Sequence, residues 1–586
     1  MAERRPVRIV EIDMPVCTRV YGAAPCAAAL GVTGVRKCYN TRHTCQDPAA
    51  FALSSQVLRF GENVDGLPEG VTIWPALASV TTNPVRINMG GQDENYGPLG
   101  SRARVTVVLR DFAHGDILVD PYRDGRVSGA AQVDEGGYDP ALRGTFLTKL
   151  ARRQPYTFGR ALRVLEGFAG QAIGAMRARH YVITEWSQPG SDGSVTIVAQ
   201  DVLRLADDRL AQVPELSKGK LTGALAATGL AATLTPAGIG AIYPASGLCC
   251  IGREILGFTR SGDALAFWGR GQRGTVAAEH GSGDLVQACV AWSGLSVAAV
   301  LQDILLRAGI PSWFIDYAAW AAEADRWMGG YLVDRVIAKP AGATELIKSL
   351  LLTGCGIWWD DAAQMIRFRA ERPIDLDEVA VALGDAGEIV EKTLTVQEEP
   401  GQRVSQVHVW YDLIDPTQSV TESANYRRAF VAATDSGAPE KYGTEQIRTI
   451  HLPWLRADFA AAAIAARMAR RYRMAPLTIG AVIDGRLATS VAPGALGLVT
   501  TRALVDDRGL PEARQVQVLS VEEAVPGHRL NVVTTTFQFD GRYAFITPAG
   551  WPDYGAASDV QRRRGGFIVN AATLKFADGT GPYLIS

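Results

Sequence analysis

The sequence lacks the local signatures of a catalyst. In its 586 residues there is no Gly-x-Ser-x-Gly elbow, no P-loop, no His-Glu-x-x-His pair and no Rossmann fingerprint set between a strand and a helix, so the motif-borne hydrolase, NTPase, zincin and dinucleotide chemistries have no foothold. Charge of one sign is also missing. The 59 Lys and Arg nearly balance the 61 Asp and Glu, for a net charge of −2, which excludes a global positive field that would draw the chain onto nucleic acid or anionic lipid. The opening Met-Ala-Glu-Arg-Arg-Pro-Val-Arg-Ile-Val-Glu-Ile-Asp has no apolar run of signal-peptide length before charge returns, so folding is expected to begin in a cytoplasm. Lys220 to Arg253 is free of charge but rich in Ala and Gly and interrupted by Pro236 and Pro244, which reads as short buried strands rather than a membrane span. No period of 20 to 50 residues repeats, so a solenoid or propeller is excluded.

What the sequence does hold is a local excess of cysteine. Cys17, Cys26, Cys38 and Cys45 crowd into the first 45 residues, separated by eight, eleven and six residues, while the other four (Cys249, Cys250, Cys289 and Cys355) are scattered. Structural cysteines behave as small buried hydrophobes, yet these four stand among Gly, Pro, Thr, Asn, Arg and Lys. They read as ligands or disulfide partners. No Cys-x-x-Cys knuckle occurs, so neither a zinc ribbon nor a ferredoxin run is present. Two disulfides, zinc and a [4Fe-4S] cluster all remain open, with a cytoplasmic start weighing against disulfides. Arg19, Arg36, Lys37 and Arg42 would offset thiolate charge, and His43 has the chemistry to donate to a cluster sulfur or to replace a ligand, while a solvated loop residue is expected. Cys249-Cys250 is expected to be a buried pair on opposite faces of a strand, with Cys289 and Cys355 in the core.

Length implies several domains, and abundant Gly (61) and Pro (29) with 20% charged residues suit short strands and turns. The expected fold is mainly β with α+β parts. Period-two strands are predicted at Gln56–Phe60, Val71–Trp74, Val85–Asn88, Arg104–Phe112, Leu162–Phe168 and His180–Trp186, with a helix at Gly144–Arg153. Further helices are predicted from Ser296 to Gly309, at Ala343–Leu352 and at Ala457–Met474, and a hairpin near Asp360-Asp361. The resulting division is a cysteine-rich segment (1–55), a β-rich domain (56–217), a small β insert (218–290), an α+β domain (291–476), a barrel-like β domain (477–545) and an extended tail (546–586). Adjacent acids at Asp360-Asp361 and Glu522-Glu523 point to opposite faces in a strand and form no facing dyad. Gly190-Ser-Asp-Gly and Gly281-Ser-Gly-Asp read as turns.

The string Arg19-Val-Tyr-Gly-Ala-Ala-Pro-Cys26, with Gly34-Val-Arg-Lys-Cys38-Tyr-Asn-Thr-Arg-His-Thr-Cys45-Gln-Asp, resembles the cysteine segment of L-type minor tail proteins of long-tailed phages. Gly144-Thr-Phe-Leu-Thr-Lys-Leu, Arg160-Ala-Leu-Arg-Val-Leu-Glu-Gly-Phe, Gly354-Cys-Gly-Ile-Trp-Trp-Asp-Asp and the ending Tyr543-Ala-Phe-Ile to Phe576-Ala-Asp-Gly-Thr-Gly-Pro-Tyr resemble tail tip hub proteins of siphophages and gene transfer agents. The resemblance implies a non-enzymatic virion protein at the tail tip, assembled in the cytoplasm of a bacterial host. It implies a homotrimer with barrel-like hub domains that joins the distal tail protein, closes the tube, and anchors the tape measure protein and tail fibres or a central spike, with no sequence-specific nucleic acid binding. It also implies that Cys17, Cys26, Cys38 and Cys45 ligate a [4Fe-4S] cluster, with zinc as the alternative. One departure is that the cysteine segment ends a separate protein in the lambda-like arrangement, whereas here it begins the chain. The competing class is a tip-associated enzyme, a peptidoglycan hydrolase or a redox iron-sulfur protein.

Overall fold

The computed structural model describes residues 5–562 except 63–64, 92–95, 98, 124–141, 208, 210, 375–377, 434–436, 489, 526–527, 538–551, 553 and 559–560. Most of the expected tail, including the Tyr543–Ile546 and Phe576–Tyr583 strings, lies outside the described residues. The chain forms two compact units, the first drawn from 1–84, 102–204 and 359–364, the second from the remainder. The fold is mainly β and built from several sheets.

In the first unit seven strands form one antiparallel sheet: β1 (Pro6–Cys17), β2 (Leu53–Gly61), β3 (Leu77–Asn83), β4 (Arg104–Arg110), β5 (Ala161–Phe168), β6 (Arg177–Trp186) and β7 (Ser194–Gln200). Their spatial order is β2-β1-β5-β6-β7-β4-β3. Strand β1 is absent from the sequence reading, because Glu11, Asp13 and Pro15 obscure its apolar positions. Its neighbours resolve the conflict. Ile9, Val10, Ile12 and Met14 are buried, and Glu11 stands opposite Arg59 on β2 and Arg163 on β5, bonding both at 2.8 and 2.7 Å. Paired in this way, a carboxylate can occupy a nearly closed strand position.

Two expected strands do not form. Val71–Trp74 and Val85–Asn88 keep only isolated bridges, Phe60 to Trp74 and Arg86 to Ser101. Pro75 follows the first and Pro84 precedes the second, and a residue without an N–H interrupts a ladder where it begins or ends. Helix α1 (Phe146–Arg153) sits where the sequence predicts one. The Asp111 carboxylate accepts hydrogen bonds from the Leu147 and Thr148 amides at 2.7 and 3.2 Å, satisfying donors that the first turn leaves free. Phe146 then stacks on Phe112 with ring centroids 5.0 Å apart.

The second unit holds a six-stranded sheet within Lys220–Ala288. Its core comprises Leu221, Leu225, Leu234, Tyr243, Cys249, Ile251, Leu256, Phe258, Leu265, Phe267 and Val286. Helices follow at Val297–Arg307, Tyr317–Trp327 and Ala343–Leu351, then at Asp458–Arg471. Ser296 caps the first by accepting the Ala299 amide at 3.2 Å, and Gly309 at φ 82° ends it. A further barrel-like sheet has six strands, ordered Val381–Gly384, Leu496–Thr500, Arg514–Val525, Arg529–Thr536, Leu477–Asp484 and Thr395–Glu398.

Candidate cysteine-lined site

Strand β1 ends at Cys17 and delivers the chain into a strap that returns to the sheet at Leu53. The strap has little regular structure and a very small core: Tyr21, Ala28, Cys38 and Tyr122, with Cys26 packed against them. Cys17, Cys26, Cys38 and Cys45 nevertheless line a single cavity together with Arg19 and Asn40. It opens to solvent, and its free interior is small, about 20 Å³. All eight cysteines are free thiols.

Asn40 organises this cavity. Its backbone is left-handed, with φ 54°, a conformation that Asn tolerates better than most side chains. Its amide donates to Cys38 Sγ at 3.4 Å, and its carbonyl accepts the Cys17 amide at 2.7 Å. The side-chain Oδ1 accepts the Tyr122 hydroxyl at 2.9 Å, and Nδ2 donates to the Arg19 carbonyl at 3.4 Å. Neither Asn40 nor Tyr122 features in the sequence reading. A polar residue two places after a cysteine was the only local signal for the first. The second sits 77 positions beyond Cys45 and offers none.

Burial pushes the Cys38 thiol up to about 11, and the neighbouring Cys45, Cys26 and Cys17 add to the rise while the Asn40 amide opposes it. Cys45 is raised in the same way, by burial and then by Cys17 and Cys26, against the Asp47 amide and Arg42. Cys38 and Cys45 thus resist ionisation chiefly because they are buried, and a bound cation would favour their thiolates. Among the described residues no three His, Cys, Asp or Glu side chains are gathered to hold a single metal ion.

The basic residues divide. Arg19 lines the cavity and Arg42 bears on Cys45, whereas Lys37 is engaged by Asp120 at 2.6 Å and Arg36 is exposed. His43 is half-buried rather than solvated, edge-on to Tyr156 with centroids 6.2 Å apart. It does not line the cavity.

Cys249 packs into the core of the small sheet and Cys250 into a separate cluster with Ile255, Val336 and Ala338, and Cys355 is fully buried. Cys289 is only half-buried, packed against the Cys250 cluster. Asp360 accepts the Ala362 and Ala363 amides, Asp192 the Ser194 amide and Asp284 the Gly281 amide, which is turn chemistry. Gly269-Arg-Gly-Gln-Arg-Gly274 does carry the glycine spacing of a dinucleotide loop. It follows the strand Ala264–Gly269 but no helix follows it, so the helix N-terminus that would hold a pyrophosphate is missing.

No protein-family model and no curated protein matches the chain. Among solved structures it is similar to a tail protein from Neisseria meningitidis MC58, at 10% identity and TM-score 0.35, over 78% of this chain and 96% of that one. It is also similar to the 43 kDa tail protein of prophage MuSo2 from Shewanella oneidensis, at 9% identity and TM-score 0.34, over 78% and 94%. A chain of a native gene transfer agent virion is similar at 18% identity and TM-score 0.29, over 42% and 48%. Scores this low do not establish a shared fold.

Proposed function

We propose that this chain is a structural virion protein, the hub of a long non-contractile tail tip, with a [4Fe-4S] cluster held by Cys17, Cys26, Cys38 and Cys45. The observation that carries the reading is that four cysteines spread over a polar, nearly coreless strap line one cavity. The sequence resemblance of that strap and of the later segments to tail tip proteins supplies the context. In this reading three copies close a ring about the tail axis, since a symmetric ring satisfies its own interfaces. The hub joins the distal tail protein above, seals the tube over the tape measure protein and anchors fibres or a spike. The cluster staples a segment that cannot bury enough apolar surface to hold itself.

The test is to purify the chain without oxygen and measure iron, sulfide and zinc with the visible spectrum. About four irons per chain, as four-thiolate ligation of a cubane requires, supports the reading; zinc with no iron sinks the cluster. Particles assembled with Cys38→Ala are expected to lose iron and carry defective tips, and normal infectivity in that variant would count against a structural cluster.

A further inference from the structure

The four cysteines lie on one strap, yet one of the groups that fixes their mutual placement comes from elsewhere in the chain. Tyr122 is 4% exposed and meets Tyr21 edge to face, with centroids 6.4 Å apart. Its hydroxyl accepts the Tyr21 amide at 2.9 Å and donates to Asn40 Oδ1 at 2.9 Å, a shorter contact than its 3.4 Å approach to the Arg19 carbonyl. The neighbouring Asp120 accepts the Tyr122 amide at 3.0 Å and Lys37 Nζ at 2.6 Å. A short loop thus grips the strap at positions 21, 37 and 40, beside Cys26 and Cys38.

All four polar groups of Asn40 are used, and three of them run to cysteines: its amide donates to Cys38 Sγ, its carbonyl accepts the Cys17 amide, and its Oδ1 accepts the Cys38 thiol at 3.5 Å beside the Tyr122 hydroxyl. A left-handed non-glycine residue holds such a conformation only when its surroundings over-determine it. Tyr122 is the side chain that fixes the Asn40 carboxamide from outside the strap. We infer that Asn40, clamped by the Tyr122 hydroxyl, is the positioning residue of the cysteine site: it sets Cys17 against Cys38 and aims an N–H at the Cys38 sulfur. The inference rests on the cluster reading for its chemical consequence. Outer groups that orient ligands and donate to their sulfurs govern how firmly iron is held and the potential at which it is reduced.

Tyr122→Phe removes one oxygen and keeps the ring contact, so the fold is expected to persist. In the full chain as purified without oxygen, amide hydrogen exchange at Tyr21 is expected to quicken roughly 5-fold, the loss of one net hydrogen bond, and unchanged exchange there overturns the clamp. In the iron-loaded chain, release of iron to a chelator is expected to accelerate about 10-fold or more. The reduction potential is expected to fall, because a weaker N–H contact leaves the reduced cluster's added charge less stabilised. Asn40→Gly keeps the left-handed backbone but loses the carboxamide and is expected to act in the same direction. Tyr156→Phe, at the ring that meets His43 outside the cavity, is expected to leave potential and release at wild-type values. A Tyr122→Phe chain with wild-type potential and release overturns the positioning role; a wild-type chain that takes up no iron overturns the cluster reading instead, and the exchange measurement still decides the clamp.

Discussion

Two regions of the molecule use cysteine in opposite ways. In the six-stranded sheet within Lys220–Ala288, Cys249 is one of eleven buried residues in a continuous core. Burial pushes its thiol far above the usual range, and its surroundings are apolar. About the strap four buried residues make a core, Tyr21, Ala28 and Cys38 from the strap and Tyr122 from outside it, with three further thiols about the same cavity. Each fully buried large apolar side chain contributes about 1.5–3 kcal/mol. The sheet can therefore stand on packing, whereas the strap has too few such residues to offset the entropy of ordering some 35 residues. Exposure alone does not separate the two cases. What separates them is the company each sulfur keeps.

The sharpest break of this comparison is Cys38→Ala beside Cys249→Ala. The first is expected to abolish iron binding and open the strap to proteolysis, with the rest of the chain still folded; limited digestion with fragment mapping checks it. Chelation of iron from the wild-type chain should reproduce that pattern and leave the Lys220–Ala288 sheet untouched.

Next in size is Glu254, the charged centre of the sheet. Its side chain is fully buried and accepts Nε and Nη2 of Arg270 at 2.7 and 2.8 Å and the Gly271 and Ala278 amides, and it shares a hydrogen bond with His280. Glu254→Ala is expected to cost about 3–5 kcal/mol, the usual result of leaving a buried partner charge alone, measured by denaturant unfolding. Burial works to raise this carboxyl, but the Arg270 pair and the other donors outweigh it and hold it down to about 2. The folded value lies below the ordinary 4.5, so the stability it confers is complete above that value and is lost as pH falls from there toward about 2. A Glu254→Gln chain should lack that part of the acid dependence.

Smaller effects test the strap from its rim. Asp120→Asn leaves every cysteine in place but removes the charge facing Lys37, and about 1–2 kcal/mol of strap protection is expected to go with it, read as faster amide exchange around Cys38. Cys249→Ala should be the mildest, about 1 kcal/mol from a one-atom cavity, with iron content unchanged.

Legibility in the sequence followed the range of the forces involved. Helix Asp458–Arg471 could be read from its apolar stripe, and strands such as Ala161–Phe168 and Arg177–Trp186 from period two, because burial of one face writes itself into neighbouring positions. Strand β1 could not, since the partners that make Glu11 acceptable, Arg59 and Arg163, lie 48 and 152 residues away. Val71–Trp74 and Val85–Asn88 have the right alternation, and adjoining prolines keep them out of the ladder. Lys37 and His43 showed the same limit at the site: their residue types suited a cluster, and Asp120 and Tyr156 claimed them.

The sequence by itself determined that four thiols would be close along the chain in a polar segment without a core of its own. Only the tertiary structure decided that those thiols share one cavity, that strand β1, paired on both sides, delivers Cys17 to it, and that Tyr122 reaches back to hold Asn40. The physical reason is that periodicity and composition record which surfaces a segment must bury. A hydrogen bond between residues 82 positions apart leaves no trace in either until the chain has folded.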